Sequence, residues 1–129
     1  IMGSFKILVV DDEIDFMETL IKRMRKRDLD VTGVESGEDA LKLLKKQDFD
    51  VVLLDVKMPQ GMDGIETLRE IKKIRPLIEV VLLTGHASIE TRIEGKKLGA
   101  FDYLLKPIIL DDLLIKLSAA FKKKEKSTL

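Results

Sequence analysis

The stretch that decides the fold is ILVVDDE, residues 7–13. Ile7, Leu8, Val9 and Val10 form an unbroken apolar run that stops at three carboxylates, Asp11, Asp12 and Glu13. An apolar run of four or five residues suits a strand covered on both faces, as in a parallel sheet. The pattern returns in VVLLDVK, where residues 51–54 run into Asp55. A chain that twice ends a buried strand in carboxylate is placing charge at one edge of a sheet.

Working outward, residues 80–83 and 103–105 are further short apolar runs. LDVTGV, residues 29–34, alternates and reads as a strand nearer an edge. Between the strands lie helical stripes. Phe16, Leu20 and Met24 are spaced by four, with Met17 and Ile21 beside them. Ala40, Leu41 and Leu44 make a second stripe, opened by Ser36 as N-cap with Asp39 three residues on. Ile65, Leu68 and Ile71 make a third, ended near Pro76. Ile89 and Ile93 make a thinner fourth. Leu110, Leu113, Leu114, Leu117 and Phe121 make the last and clearest. Methionine and phenylalanine in these stripes read as core. Five βα units predict a doubly wound parallel sheet with right-handed crossovers and helices on both faces.

The chain's 129 residues fit one domain, and 45% hydrophobic with 36% charged residues excludes a disordered segment. Lysine plus arginine (23) equals aspartate plus glutamate (23), which gives no general attraction to nucleic acid or membrane. No apolar run approaches the roughly 18 residues of a membrane span. The absence of cysteine removes disulfide and thiolate chemistry and fits a cytoplasmic setting. IMGS, residues 1–4, reads as a cloning remnant rather than a targeting signal. KKKEKSTL reads as a solvated helix end or a linker stub.

In such an open sheet, ligands sit at the carboxyl ends of the strands. Asp11, Asp12 and Asp55 all belong at that edge. If their strands are neighbours, the carboxylates repel by roughly 4 kcal/mol per pair at 4 Å and an effective dielectric near 20. The cluster then raises a pKa or recruits a cation, and hard oxygens favour Mg2+. The bland alternative is that Asp11 and Asp12 only cap the first helix. Asp55 on another strand tells against it. Thr84 ends the fourth strand with a hydroxyl, and Lys106 ends the fifth with a cation suited to phosphate.

With these residues in place, the chain resembles the receiver domain of two-component response regulators. The likeness runs from ILVVDDE through VVLLDVKMP, MDGIETL, VVLLTGHA and GAFDYLLKP to the final helix. LGAFDYLLKP is most similar to receivers attached to transcriptional regulators. The resemblance implies a flavodoxin-like sheet in order 2-1-3-4-5, with the receiver over residues 5–123 and a charged tail or linker stub over 124–129. It implies Asp55 as the nucleophile that accepts a phosphoryl group from a phosphohistidine of a sensor histidine kinase. Asp12 would bind Mg2+ directly, Asp11 directly or through water, and the Lys57 carbonyl would be a further ligand. Lys106 would pair with the phosphoryl oxygens and the Thr84 hydroxyl would turn inward to them. Tyr103 would be the aromatic that reports that turn, and Pro107 would follow a cis peptide.

An acyl phosphate on Asp55 must be read by a bistable element. The fourth helix, with few apolar anchors and with Gly95 inside it, is expected to shift. The alternative is a poorly amphipathic surface helix. Partners expected are the kinase, an effector domain or protein, and a second copy on phosphorylation. That second copy would meet the face of the fourth helix, last strand and last helix. No nucleic-acid or membrane contact is expected of this segment. The family usually has one residue between MP and MDG, whereas Gln60 and Gly61 stand here. Lys57 and His86 are read as setting the dephosphorylation rate, although His86 also fits a solvent-facing loop. A dehalogenase-type phosphohydrolase would need an aspartate where Lys57 stands, and a flavin binder a glycine- and hydroxyl-rich loop where DDE stands.

Overall fold

A computed structural model of the chain describes residues 5–85 and 88–127. Strands β1 (Lys6–Val10), β2 (Asp30–Val34), β3 (Val51–Asp55), β4 (Glu79–Thr84) and β5 (Asp102–Leu105) alternate with five helices. The helices are α1 (Ile14–Arg25), α2 (Gly37–Lys46), α3 (Gly64–Ile74), α4 (Ile89–Lys97) and α5 (Leu110–Ser127). All strand pairs are parallel, in order β2-β1-β3-β4-β5. The doubly wound sheet expected from the apolar runs is therefore the one observed.

The unbroken runs have a simple cause. Successive side chains of a strand point to opposite faces. Ile7, Val9, Val51, Leu53, Val81 and Leu83 enter a core shared with α1 and α5. Leu8, Val10, Val52, Leu54, Val80 and Leu82 enter a second core under α2 and α3. Both faces are covered, so both phases of each central strand must be apolar. Fully burying one such side chain stabilises by about 1.5–3 kcal/mol.

Local signals set the helix ends. The Ser36 hydroxyl accepts from the Asp39 amide at 3.0 Å, Asp63 from Glu66 at 2.8 Å, and Ser88 from Thr91 at 3.1 Å. Helix α3 stops at Ile74, and Arg75, which precedes Pro76, has left the helical region.

Helix α4 departs from the expected stripe. Ile89 and Ile93 are 65% and 50% exposed. The buried residue of this helix is Gly95, where an added Cβ would lie 2.5 Å from Leu82 Cδ1. The helix backbone at Gly95 thus packs on the Leu82 side chain of β4, and a larger residue there would require that side chain to shift. Gly95 weakens the helix but permits its docking. Helix α5 continues to Ser127. Lys124 pairs with Asp50 at 2.7 Å, and Asp50 also accepts from the Lys6 amide at 2.7 Å. Phe121 stacks on Phe5 with centroids 4.4 Å apart.

Candidate phosphoacceptor site

Register brings the acidic strand ends together. β1 and β3 pair with Val10 opposite Leu54, so Asp11, just past β1, stands beside Asp55, the last residue of β3. Both are buried, at 0% and 3% exposure, and Asp12 is half-buried. One oxygen from each of Asp11, Asp12 and Asp55 lies within 4.8 Å of the others. β4 and β5 pair with Thr84 opposite Leu105, and the Lys106 amide donates to the Thr84 carbonyl at 2.8 Å. Asp55, Lys57, Thr84 and Lys106 then line one open cleft of about 590 Å³.

Lys106 supplies the neutralising cation that the sequence around DDE lacks. Its Nζ lies 3.0 Å from Asp11 Oδ2, 3.8 Å from Asp55 Oδ1 and 2.6 Å from Glu13 Oε1. It also sits 4.4 Å from the centroid of the Phe16 ring. Burial pushes its pKa down, but Glu13, Asp11 and Asp55 outweigh burial and hold it above the ordinary lysine range. The partnership with Glu13 spans 93 positions and was not legible in the sequence. Glu13 itself holds the N-cap of α1 without a capping bond, while Asp11 Oδ1 accepts from the Glu13 amide at 2.9 Å.

Asp55 is under the opposite pressure. Burial first, then Asp11, push its carboxyl up to about 7, with Lys106 and the Lys57 amide opposing and Asp12 adding to the rise. The Lys57 amide reaches Asp55 Oδ1 at 3.4 Å, and the Lys57 side chain is exposed. Asp11 Oδ2 is fully buried, its hydrogen-bonding geometry is unfulfilled, and its counter-charge is Lys106 Nζ at 3.0 Å. A buried, hard, unsatisfied oxygen among three carboxylates fits a divalent cation such as Mg2+.

Two further residues of the sequence reading lie on β5 and just after it, outside the cleft lining. Tyr103 is half-buried, and its hydroxyl accepts from Arg92 Nη1 at 2.7 Å. The Lys106–Pro107 peptide is cis. Arg92 and Gly64 escaped the sequence reading. At Gly64 an added Cβ would lie 2.3 Å from the Asp55 carbonyl oxygen, so α3 can start there only on glycine. The glycine of MDG was the available signal. Gly61, beside the extra loop residue, has φ +75°, and the next amide, of Met62, donates to Glu38 Oε2 at 3.1 Å. His86 lies outside the described residues.

Fold and site together define a doubly wound α/β domain built to hold an acidic pocket and a lysine at its strand ends. The chain belongs to the response regulator receiver domain family, whose model matches residues 7–118. It is 45% identical over 117 residues to the transcriptional regulatory protein ZraR of Escherichia coli strain K12, covering 91% of this chain and 26% of that protein. It is 38% identical over 108 residues to the regulatory protein AtoC of the same strain, covering 84% of this chain and 23% of that one. The chain thus spans about a quarter of the length of the curated relatives it matches. Among solved structures, a CheY-like receiver domain protein from Methanospirillum hungatei superposes with a TM-score of 0.90 at 28% identity, covering 97% of this chain and 99% of that one. NtrX from Brucella abortus superposes at 0.89 with 28% identity, covering 97% of this chain and 28% of that one. No helix among the described residues is long and apolar enough to cross a membrane.

Proposed function

We propose that this receiver is a phosphorylation-dependent switch. Asp55 accepts a phosphoryl group from a phosphohistidine of a sensor histidine kinase, and the change is relayed through α4, β5 and α5. The observation that carries this reading is the buried Asp55 carboxylate, flanked by Asp11 and Asp12 and faced by Lys106 at 3.8 Å.

An Asp55 oxygen attacks phosphorus while the phosphorus–nitrogen bond to the donor imidazole breaks. The nitrogen leaves with the electron pair and regains a proton. Phosphoryl transfer needs positioning and charge stabilisation more than covalent help. Lys106 supplies charge for the phosphoryl oxygens, and Thr84, at the cleft wall, supplies a hydroxyl. Asp11, Asp12, Asp55 and the Lys57 carbonyl would hold Mg2+, which when bound neutralises charge on the transferred group. Tyr103 reports the inward turn of Thr84. Lys57, at the cleft mouth, and His86 set how long the phosphoryl group lasts.

The relatives' names point to transcriptional regulation as the output, through an effector domain or protein that this segment controls. We place the reaction in the cytoplasm, where a kinase would meet it. Beryllofluoride with Mg2+ mimics the phosphoryl group and gives a direct test. Its addition should shift the amide resonances of α4, β5 and α5, and Asp55→Asn should abolish the shifts. Resonance changes confined to the cleft, or persisting in the variant, would refute the switch.

A further inference from the structure

Glu13 occupies the N-cap of α1 with φ −83° and ψ 88°. Serine, threonine, aspartate and asparagine are the good caps, because a short side chain can turn back to the first amides, and losing such a cap costs about 1 kcal/mol. Glu13 makes no capping bond. Its carboxylate crosses instead to the fifth strand's end and meets Lys106 at 2.6 Å, closer than Asp11 at 3.0 Å or Asp55 at 3.8 Å. Phe16, three residues on and so on the same face of α1, presents its ring to the same ammonium at 4.4 Å. The first turn of α1 therefore gives Lys106 both an anion and an aromatic face. A local rule is broken at a point where function offers the reason.

The exposures differ in a telling way. The Lys106 side chain is 14% exposed and that of Glu13 is 63%. Glu13 can turn to water at little cost once Lys106 leaves it, whereas Lys106 always needs an anion.

We propose that Glu13 is a positioning residue, which holds the Lys106 ammonium toward α1 in the unphosphorylated chain and yields it when Asp55 carries a phosphoryl group. The inference rests on the reading of Asp55 as phosphoacceptor. With acetyl phosphate as donor, an Asp55 oxygen bonds to phosphorus, the bond from phosphorus to the acetate oxygen breaks, and acetate leaves with the electron pair. The acyl phosphate carries more negative charge than the carboxylate it replaces. Lys106 then closes the 3.8 Å gap to hydrogen-bonding distance, and its contact with Glu13 opens. In the resting chain that contact competes with the incoming phosphoryl oxygens.

The test compares initial phosphorylation rates from acetyl phosphate in the whole chain, its E13Q variant and its E13D variant. Mg2+ affinity is measured for each by calorimetry, so that rates are read at saturation. E13Q keeps the shape and drops the charge, and it should react about two- to fivefold faster, the scale of a partly exposed ion pair. E13D keeps the charge but is one methylene short of Lys106, and it should also be faster. E13Q should keep the wild-type thermal midpoint, as suits an exposed side chain, and E13D, which puts a capping aspartate at the start of α1, should not fall below it. An E13Q rate equal to or below that of the wild type overturns the proposal. So does an E13D rate equal to the wild type, which would mean that charge acts on the donor without Lys106. A wild type that takes no phosphoryl group sinks the Asp55 reading and this proposal together, whereas a reactive wild type with indifferent variants sinks only this one.

Discussion

Arg92 Nη1 donates to the Tyr103 hydroxyl at 2.7 Å while its guanidinium lies 5.1 Å from the centre of the same ring. Lys116 of α5 bonds the Tyr103 carbonyl at 3.0 Å and pairs with Asp102 at 3.1 Å. Tyr103 is therefore the point where α4, β5 and α5 are tied. Helix α4 has few other anchors: Gly95 is its buried residue, and Lys96 Nζ donates to the Phe101 carbonyl. Removing the tie should loosen α4 before any other element. Arg92→Ala is predicted to cost about 1–2 kcal/mol, from one hydrogen bond and one cation–aromatic contact. Hydrogen exchange should speed up in α4 while α3 keeps its protection. Unchanged exchange in α4 would show that the helix is anchored elsewhere.

The Asp55 carboxyl, pushed up to about 7, makes stability depend on pH in the metal-free chain. Folding keeps a proton there that the unfolded chain loses near pH 4, so stability falls as pH rises from about 4 to about 7. Asp55→Asn abolishes that loss. In EDTA at pH 8 the variant should be more stable than the wild type, by an amount on the order of a few kcal/mol, and the gap should close below pH 4. Added Mg2+ should narrow the gap at pH 8 by stabilising only the wild type. A gap that ignores pH would contradict burial and Asp11 as its source.

Gly64 begins α3 with no room for a side chain. An added Cβ would stand 2.3 Å from the Asp55 carbonyl oxygen and 2.5 Å from Val56 Cα, both backbone atoms that cannot step aside. Gly64→Ala should lower stability by about 1–3 kcal/mol, as overpacking does, and displace the β3–α3 junction that carries Asp55. Urea denaturation checks the first effect. Loss of beryllofluoride binding at Mg2+ saturation checks the second. Alanine at 64 with wild-type stability would mean that the junction has slack.

Ile89, Ile93 and Ile115 are 65%, 50% and 71% exposed on α4 and α5. Single exposed apolar residues are ordinary, but several on one proposed relay face fit an interface. If beryllofluoride drives pairing of two copies there, Ile93→Glu should keep the chain monomeric in sedimentation. Its unfolding midpoint should hardly move, since little burial is lost. Pairing that survives the substitution would place the contact on another face.

Most of the scaffold was legible because a strand covered on both faces has no freedom of composition. Residues 7–10 and 51–54 had to be apolar throughout, and the charge at each end marked the functional edge. Ser36 as a cap and Pro76 as a stop are local devices with local signals. What escaped depends on tertiary contact. The Ile89–Ile93 spacing suggested an apolar stripe, but α4 docks through Gly95 at a distance set by Leu82. Lys106 could be assigned a role, but its grip by Glu13 and Phe16 joins residues far apart in the chain. Arg92 carried no signal, since an arginine on a polar helix ordinarily faces water.

The central claim is that Asp55 carries a labile phosphoryl group in a site made by two other aspartates and a lysine. Intact-mass measurement after incubation with acetyl phosphate and Mg2+ tests it most directly. One phosphoryl group should be gained by the wild type, none without Mg2+ and none by Asp55→Asn, and the adduct should be lost in mild base. No gain in the wild type, or an equal gain with asparagine at 55, would contradict the account.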